Sequence, residues 1–213
     1  MTATAPILYG ARYSVYVRAA LMALQEKGVG FDLVEVDIFA AEGPPPGYLG
    51  RHPFGRIPAF EHDGFALYET AAITRYVDEA FPGPALQPAD ARGRARMTQV
   101  IGVLDSYAYR PLVWDIYVER VSKPKAGRPS DEALIAAALP RAGLCLDVLE
   151  GFLGDGPWLV GDALSLADLH AAPVIDYFRM APEGRDLLAR HERLAAWWDR
   201  IAARPSAGVL GRS

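Results

Sequence analysis

The chain has 213 residues, 51% of them apolar and 23% charged, with a net charge of -4 and both signs interspersed. That balance leaves no basic field to hold nucleic acid, and no apolar run approaches the ~20 residues that a membrane span needs. One cysteine, Cys145, excludes an internal disulfide or a thiolate metal cluster, and His52, His62, His170 and His191 lack metal-ligand spacing, so no metal is expected.

The start, MTATAP, has neither the basic flank nor the apolar core of a signal peptide, which makes the cytosol the expected location. The length allows one domain or two small ones. Ile7 to Tyr9 is a short apolar run closed by Gly10 and predicts a first strand. Ser14 precedes a helical pattern in which Val17, Ala20, Leu21 and Leu24 share a face. Gly28 closes that helix, and Ser14 is its N-cap candidate. Residues 31–37, FDLVEVD, alternate apolar and polar with one slip and predict a second strand. The triple proline within 40–47 excludes a regular helix there.

The stretch 51–70 organises the first half of the chain. Pro58 stands at the first position of a strand, where its missing N–H is harmless only if that edge pairs with something else. Ala59-Phe60 and Phe65 to Tyr68 are short apolar runs joined by Asp63-Gly64, a hairpin signal because a type I′ turn needs φ > 0 at both central residues. Glu69-Thr70 then opens a helix with Ile73, Val77 and Ala80 at helical spacing. A cis X-Pro bond before the strand would leave the preceding N–H and C=O open to a ligand. The stretch therefore suits the amino end of a peptide-like ligand, or else it is a hairpin-helix unit that only packs. The order to residue 80 is β-α-β-loop-β-β-α, a mixed sheet with helices packed on it.

The composition then changes. FPGPALQPAD, residues 81–90, holds three prolines and a glycine and reads as a linker, after which no strand pattern survives. Residues 91–121 are helical in tone and should kink or break near Pro111. KPKAGRPS, residues 123–130, reads as a solvated basic loop. Asp131 to Phe152 reads as a helix that Pro140 kinks or splits. Ser165 and Asp168 make a capping box, with Leu164 and Leu169 at the staple positions, which assigns Asp168 to folding. A last helix over 191–203 carries Leu194, Trp197, Trp198 and Ile201.

In this order the residues resemble a cytosolic glutathione transferase over about 7–205. The likeness lies in Tyr9-Gly10-Ala11-Arg12-Tyr13-Ser14 with Arg18, in His52-Pro53-Phe54-Gly55-Arg56-Ile57-Pro58, in Glu69-Thr70 and in the capping region Leu164 to Leu169. It is greatest for the serine-type, phi-like and bacterial branches. The resemblance implies an α/β thioredoxin-like N-terminal domain over 1–80 with Pro58 cis, a linker over 81–90, and an all-α C-terminal domain over 91–213. The second domain would contribute an acceptor-substrate pocket between the two. Glutathione is implied as co-substrate, held along the backbone of Ile57 and Pro58 with its γ-glutamyl end at Glu69 and Thr70. A homodimer is implied too, with Phe54 inserted into the partner subunit.

A thiol with a pKa near 8.5 must ionise before it attacks at neutral pH. Ser14 falls on the family's catalytic serine; its hydroxyl can donate to the thiolate, and the first amides of its helix add partial positive charge. Its other reading is an N-cap alone. Tyr9, inside an apolar run, reads as core, and Cys145 in the helical half is not the thiol of the cysteine-type branches. Thr70 stands where serine is commoner but keeps the hydroxyl. Gly43 and Pro44 stand where the family places a basic residue for the glycine carboxylate, and Arg56 is either its replacement or a solvated arginine. Tyr13 should flank the acceptor pocket. Tyr107, Arg110, Trp114 and Tyr117 fall at helical spacing, either as core or as lining for an apolar or aromatic acceptor, with Arg110 able to meet an anionic group.

The expected function is thus thiolate attack on a small apolar electrophile, by conjugation or with peroxide reduction, in detoxification. The alternative is a non-catalytic transferase-like binding or assembly module, motivated by Gly43-Pro44. A glutathione-dependent isomerase or dehalogenase ranks behind both, because its motif beside the first helix is missing.

Overall fold

A computed structural model of the chain describes residues 4–211. Met1 to Ala3, the start of the stretch read for a leader, and Arg212 and Ser213, the end of the span 91–213, lie outside the described residues. Two compact units result: one runs to Ala85 and takes in the chain from Pro205 on, and the other is Leu86–Arg204. The division falls inside 81–90, but the chain end joins the first unit and not the helical one. A 3-10 turn, Pro205–Val209, packs on the first helix, and Ser206 Oγ donates to Glu26. Nothing in the local pattern after residue 203 marks that return.

The first unit contains β1 (Ile7–Tyr9), α1 (Val15–Glu26), β2 (Asp32–Val34), a 3-10 turn (Tyr48–Gly50), β3 (Ala59–His62), β4 (Phe65–Tyr68) and α2 (Thr70–Ala80). Its sheet has the order β2-β1-β3-β4, with β1 parallel to β2 and the other pairs antiparallel. β2 is shorter than 31–37 because its partner β1 offers only three residues, Ile7 opposite Asp32 through Tyr9 opposite Val34. At the hairpin, Asp63 (φ 49°) and Gly64 (φ 78°) take the positive φ values that the turn demands. Leu8, Phe60, Leu21, Leu24, Ile73 and Val77 are buried between sheet and helices. Lys27, just past α1, is buried with them. Its Nζ donates to Asp78 O (3.0 Å), Asp78 Oδ1 (3.1 Å) and Pro84 O (3.0 Å), using all three N–H bonds.

The second unit is helical: α3 (Ala91–Val103), π-helical turns over Leu104–Ala108 and Arg110–Ser122, α4 (Lys123–Lys125), α5 (Glu132–Leu153), α6 (Leu166–Phe178), α7 (Pro182–Leu188) and α8 (Glu192–Ala202). Pro111 does not break this run. The ladder widens instead, with Tyr109 N–H donating to Leu104 O and Lys123 N–H to Val118 O, both five residues back. The Tyr107 carbonyl, which an α-helix would pair with the N–H that Pro111 lacks, meets Cys145 Sγ at 3.5 Å. α5 likewise passes Pro140 unbroken, because the carbonyl it strands belongs to Ala136 on an exposed face, within reach of water. The basic stretch is helical at its start, and Lys123 Nζ meets Glu119 at 2.6 Å. α7 and the length of α6 had no sequence signal.

The capping box at α6 is present, and its aspartate reaches further than its own helix. Asp168 is fully buried. Oδ2 accepts from the N–H and Oγ–H of Ser165, and Oδ1 from Leu159 N–H and Trp197 Nε1–H, all at 2.8 Å. Burial pushes its carboxyl above the usual carboxylate range, while these four donors pull the other way. Glu150 on α5 caps α8 in a similar manner, accepting from Arg193 N–H (3.0 Å) and Leu194 N–H (3.4 Å). Among the described residues no helix is long and apolar enough to cross a membrane.

Candidate active site

The strand register assembles the site. Tyr9 lies opposite Ala59, and Ala59 opposite Tyr68. β1 therefore leaves the sheet, β3 enters it and β4 leaves it along one row. Residues 10–14, Ile57-Pro58 and Glu69-Thr70, far apart in sequence, all emerge at one edge of the sheet. β2, parallel to β1, delivers residues 35–47 to the same edge. Both helices of the unit begin there as well, and their first amides present partial positive charge to it. Gly10 makes the close approach possible: a Cβ on it would stand 2.4 Å from Val17 Cγ2 and 3.4 Å from Ile57 Cβ.

Ser14 caps α1, its Oγ accepting from Val17 N–H at 3.3 Å, and its hydroxyl proton has no acceptor among the described residues. Arg18, one turn further and fully buried, donates from Nε to Arg12 O at 2.6 Å and so holds the turn before Ser14. Tyr13 is engaged with the segment after β2. Its hydroxyl donates to Asp37 Oδ1 (2.8 Å) and accepts from Ile38 N–H (3.2 Å), and burial with the Asp37 carboxylate drives it well above the usual phenol range. The phenol is therefore occupied, and its ring lies 5.5 Å from that of Phe39.

Ile57-Pro58 is cis, and both residues are buried. Among the described residues neither the N–H nor the C=O of Ile57 enters a backbone hydrogen bond. Arg56 accepts from Tyr48 Oη–H at its carbonyl (2.7 Å), while its exposed guanidinium has no ion pair among the described residues. Glu69 holds φ 71° and ψ 116°, a strained conformation for a residue with a Cβ. Its side chain makes no cap bond, so an exposed carboxylate stands at the start of α2 beside the buried Thr70. The 40–47 loop carries no basic residue; Asp37, Ala40, Glu42 and Pro44 to Pro46 line a recess in it.

The sequence pattern gives no sign of the environment of His52. Its ring is 3% exposed, 4.9 Å from the Tyr68 ring and 6.2 Å from that of Phe54. Burial lowers its basicity from the ordinary imidazole value. Phe54 beside it is 72% exposed, an aromatic ring held out from the surface of its unit.

In the second unit the residues expected to line a pocket fall on the π-helical stretch and differ in exposure. Tyr107 and Arg110 are exposed, and Trp114 and Tyr117 are half-buried, the latter stacked on Tyr177 at 4.2 Å. Arg110 is already ion-paired: its Nε is 2.7 Å from Asp115 Oδ1, and Arg141 reaches the other oxygen at 3.2 Å. No group of three His, Cys, Asp or Glu side chains among the described residues is assembled to hold a metal.

The glutathione S-transferase N-terminal domain family matches residues 8–85, and the glutathione S-transferase C-terminal domain family matches 106–205. The chain belongs to the glutathione S-transferase family. Glutathione S-transferase F9 from Arabidopsis thaliana is 34% identical to this transferase over 202 residues, 93% of each chain. The crystal structure of glutathione transferase F7 from Populus trichocarpa matches with a TM-score of 0.84 at 34% identity, covering 96% of this chain and 97% of that one. Maize glutathione S-transferase I, in complex with an atrazine glutathione conjugate, matches with a TM-score of 0.84 at 27% identity, covering 96% and 95%. The thioredoxin-like first unit and the helical second unit are those of the family, in its phi-like branch.

Proposed function

We propose that this transferase ionises the thiol of glutathione beside Ser14 and adds the sulfur to an apolar electrophile. The row Tyr9–Ala59–Tyr68 carries the reading, because it sets an uncommitted hydroxyl, an open backbone segment and an exposed carboxylate along one edge with two helix N-termini. The Ser14 hydroxyl donates to the thiolate, and the α1 amides lower its energy further. One charge-assisted bond at this position is worth about one pKa unit, about 1.4 kcal/mol. The N–H and C=O of Ile57, ahead of Pro58, hold the cysteinyl portion as an added strand would. The Glu69 carboxylate takes the ligand's α-ammonium group, and Thr70 with the first amides of α2 takes its α-carboxylate. Arg56 meets the glycine carboxylate in place of a basic residue at Gly43-Pro44.

The acceptor is small and apolar or aromatic. The maize relative's atrazine conjugate supports that class, and the Tyr13 ring supplies aromatic surface beside Ser14. Peroxide reduction would use the same thiolate. The working form is a cytosolic homodimer in which the exposed Phe54 is covered by the partner subunit.

Replacing Ser14 by alanine should lower kcat by about tenfold, one pKa unit's worth, while the glutathione KM stays within about twofold. Unchanged turnover would remove the serine from the chemistry. Calorimetry separates the transferase from a non-catalytic binding module, motivated by Gly43-Pro44: no heat of binding at millimolar glutathione would favour the module.

A further inference from the structure

His52 is a buried titratable side chain that the reaction described above does not use, and it sits where two parts of the site meet. It lies on the segment leading to Ile57-Pro58, tied at the backbone by His52 N–H to Tyr48 O (3.1 Å) and Gly55 N–H to His52 O (2.9 Å). Its ring packs on Tyr68, the residue immediately before Glu69. Its Nδ1 is shut off from solvent and has no hydrogen-bond partner. A proton on that nitrogen would be a buried donor facing only the residue's own backbone, and burial favours the neutral ring.

We propose that His52 is a positioning residue whose neutral form supports the Glu69 turn, and that its protonation and the binding of glutathione oppose each other. The proposal rests on glutathione binding with its ammonium group at Glu69. Two charged groups act on the ring: Glu69, beyond β4, favours its charged form, and Arg56, on its own segment, disfavours it, while burial outweighs both and lowers its basicity. When a ligand ammonium neutralises Glu69, the group favouring the charged ring is cancelled and Arg56 remains. The bound state therefore resists protonation of His52 more than the free state does. Linkage is reciprocal, so a proton on His52 must weaken ligand binding by the same factor.

The sign follows. The basicity of His52 is depressed by folding and depressed further by the ligand, so affinity is full where the ring is neutral and falls as pH drops through the titration of the free protein.

S-methylglutathione is the suitable probe, because it has no thiol to titrate. Its Kd, measured by calorimetry, should rise about twofold or more from about pH 7.5 to about pH 5, and His52→Asn should bring that ratio close to one. NMR titration of the histidine ring signals of the unaltered protein gives a second readout that does not depend on the variant folding. The His52 resonance should titrate at lower pH when the probe is saturating. Equal pH ratios in the two proteins, or a His52 titration that the probe leaves unmoved, would overturn the inference while leaving glutathione binding intact. Absence of probe binding at about pH 7.5 would overturn the glutathione reading and this one with it.

Discussion

Ser14 carries two loads that a single substitution confounds. Its Oγ caps α1 through Val17 N–H, and under the proposed mechanism its proton goes to the thiolate. Alanine removes both and costs about 1 kcal/mol of stability through the lost cap alone. Aspartate separates them, since its carboxylate is as good a cap but places a negative charge where the thiolate must form. Ser14→Asp should therefore unfold within about 0.5 kcal/mol of the unaltered protein in urea, yet lose turnover more completely than Ser14→Ala. Equal activity in the two variants would assign the residue to capping only. Lys27 shows the same discipline without chemistry. It and Asp78 have side chains only 3% and 7% exposed. Lys27→Met should lower the unfolding free energy by about 3 kcal/mol, because a buried carboxylate loses its ammonium partner and Pro84 O loses its donor.

At the scale of elements, the capping box at α6 is the clearest case of a local signal with a long-range consequence. The sequence spacing identifies Ser165 and Asp168 and their N-cap role. It does not identify Leu159 and Trp197, which bring their donors to Asp168 only after the 157–165 loop and α8 have folded onto α6. Asp168→Ala should thus cost about 3 kcal/mol, beyond a cap's usual share, because it strands buried donors on two other segments. Thermal unfolding checks this, and a loss of no more than about 1 kcal/mol would confine Asp168 to its own helix. The prolines teach the converse lesson. Pro111 and Pro140 are local breakers, yet neither ends a helix. In one case the ladder widens and Cys145 meets the stranded carbonyl; in the other the carbonyl faces water. Whether a proline breaks a helix depends on what meets the carbonyl it strands, which no window of sequence contains.

At the scale of the molecule, Phe54 tests assembly. With 72% of its surface exposed, it contributes little to the fold of its own unit. Phe54→Ala should leave secondary structure unchanged and shift the proposed homodimer toward monomer in sedimentation velocity. A variant that sediments unchanged would place the subunit contact elsewhere. Much of this architecture is legible from sequence because its signals are local. Asp63-Gly64 requires positive φ, Ser14 and Ser165 are caps, Ile7 to Tyr9 is a strand, and 81–90 marks the change of composition. Backbone stereochemistry and hydrogen bonding within a few residues enforce these whatever the rest of the chain does. The tertiary structure alone decided the remainder. Strand register brought Ser14, Ile57 and Glu69 to one edge, and the helix around Pro111 widened into π-turns. Asp115 paired with Arg110, and the Nδ1 of His52 was shut off from solvent. Each of these depends on which distant groups share a dielectric, a face or a hydrogen bond, and that is settled only when the chain has closed on itself.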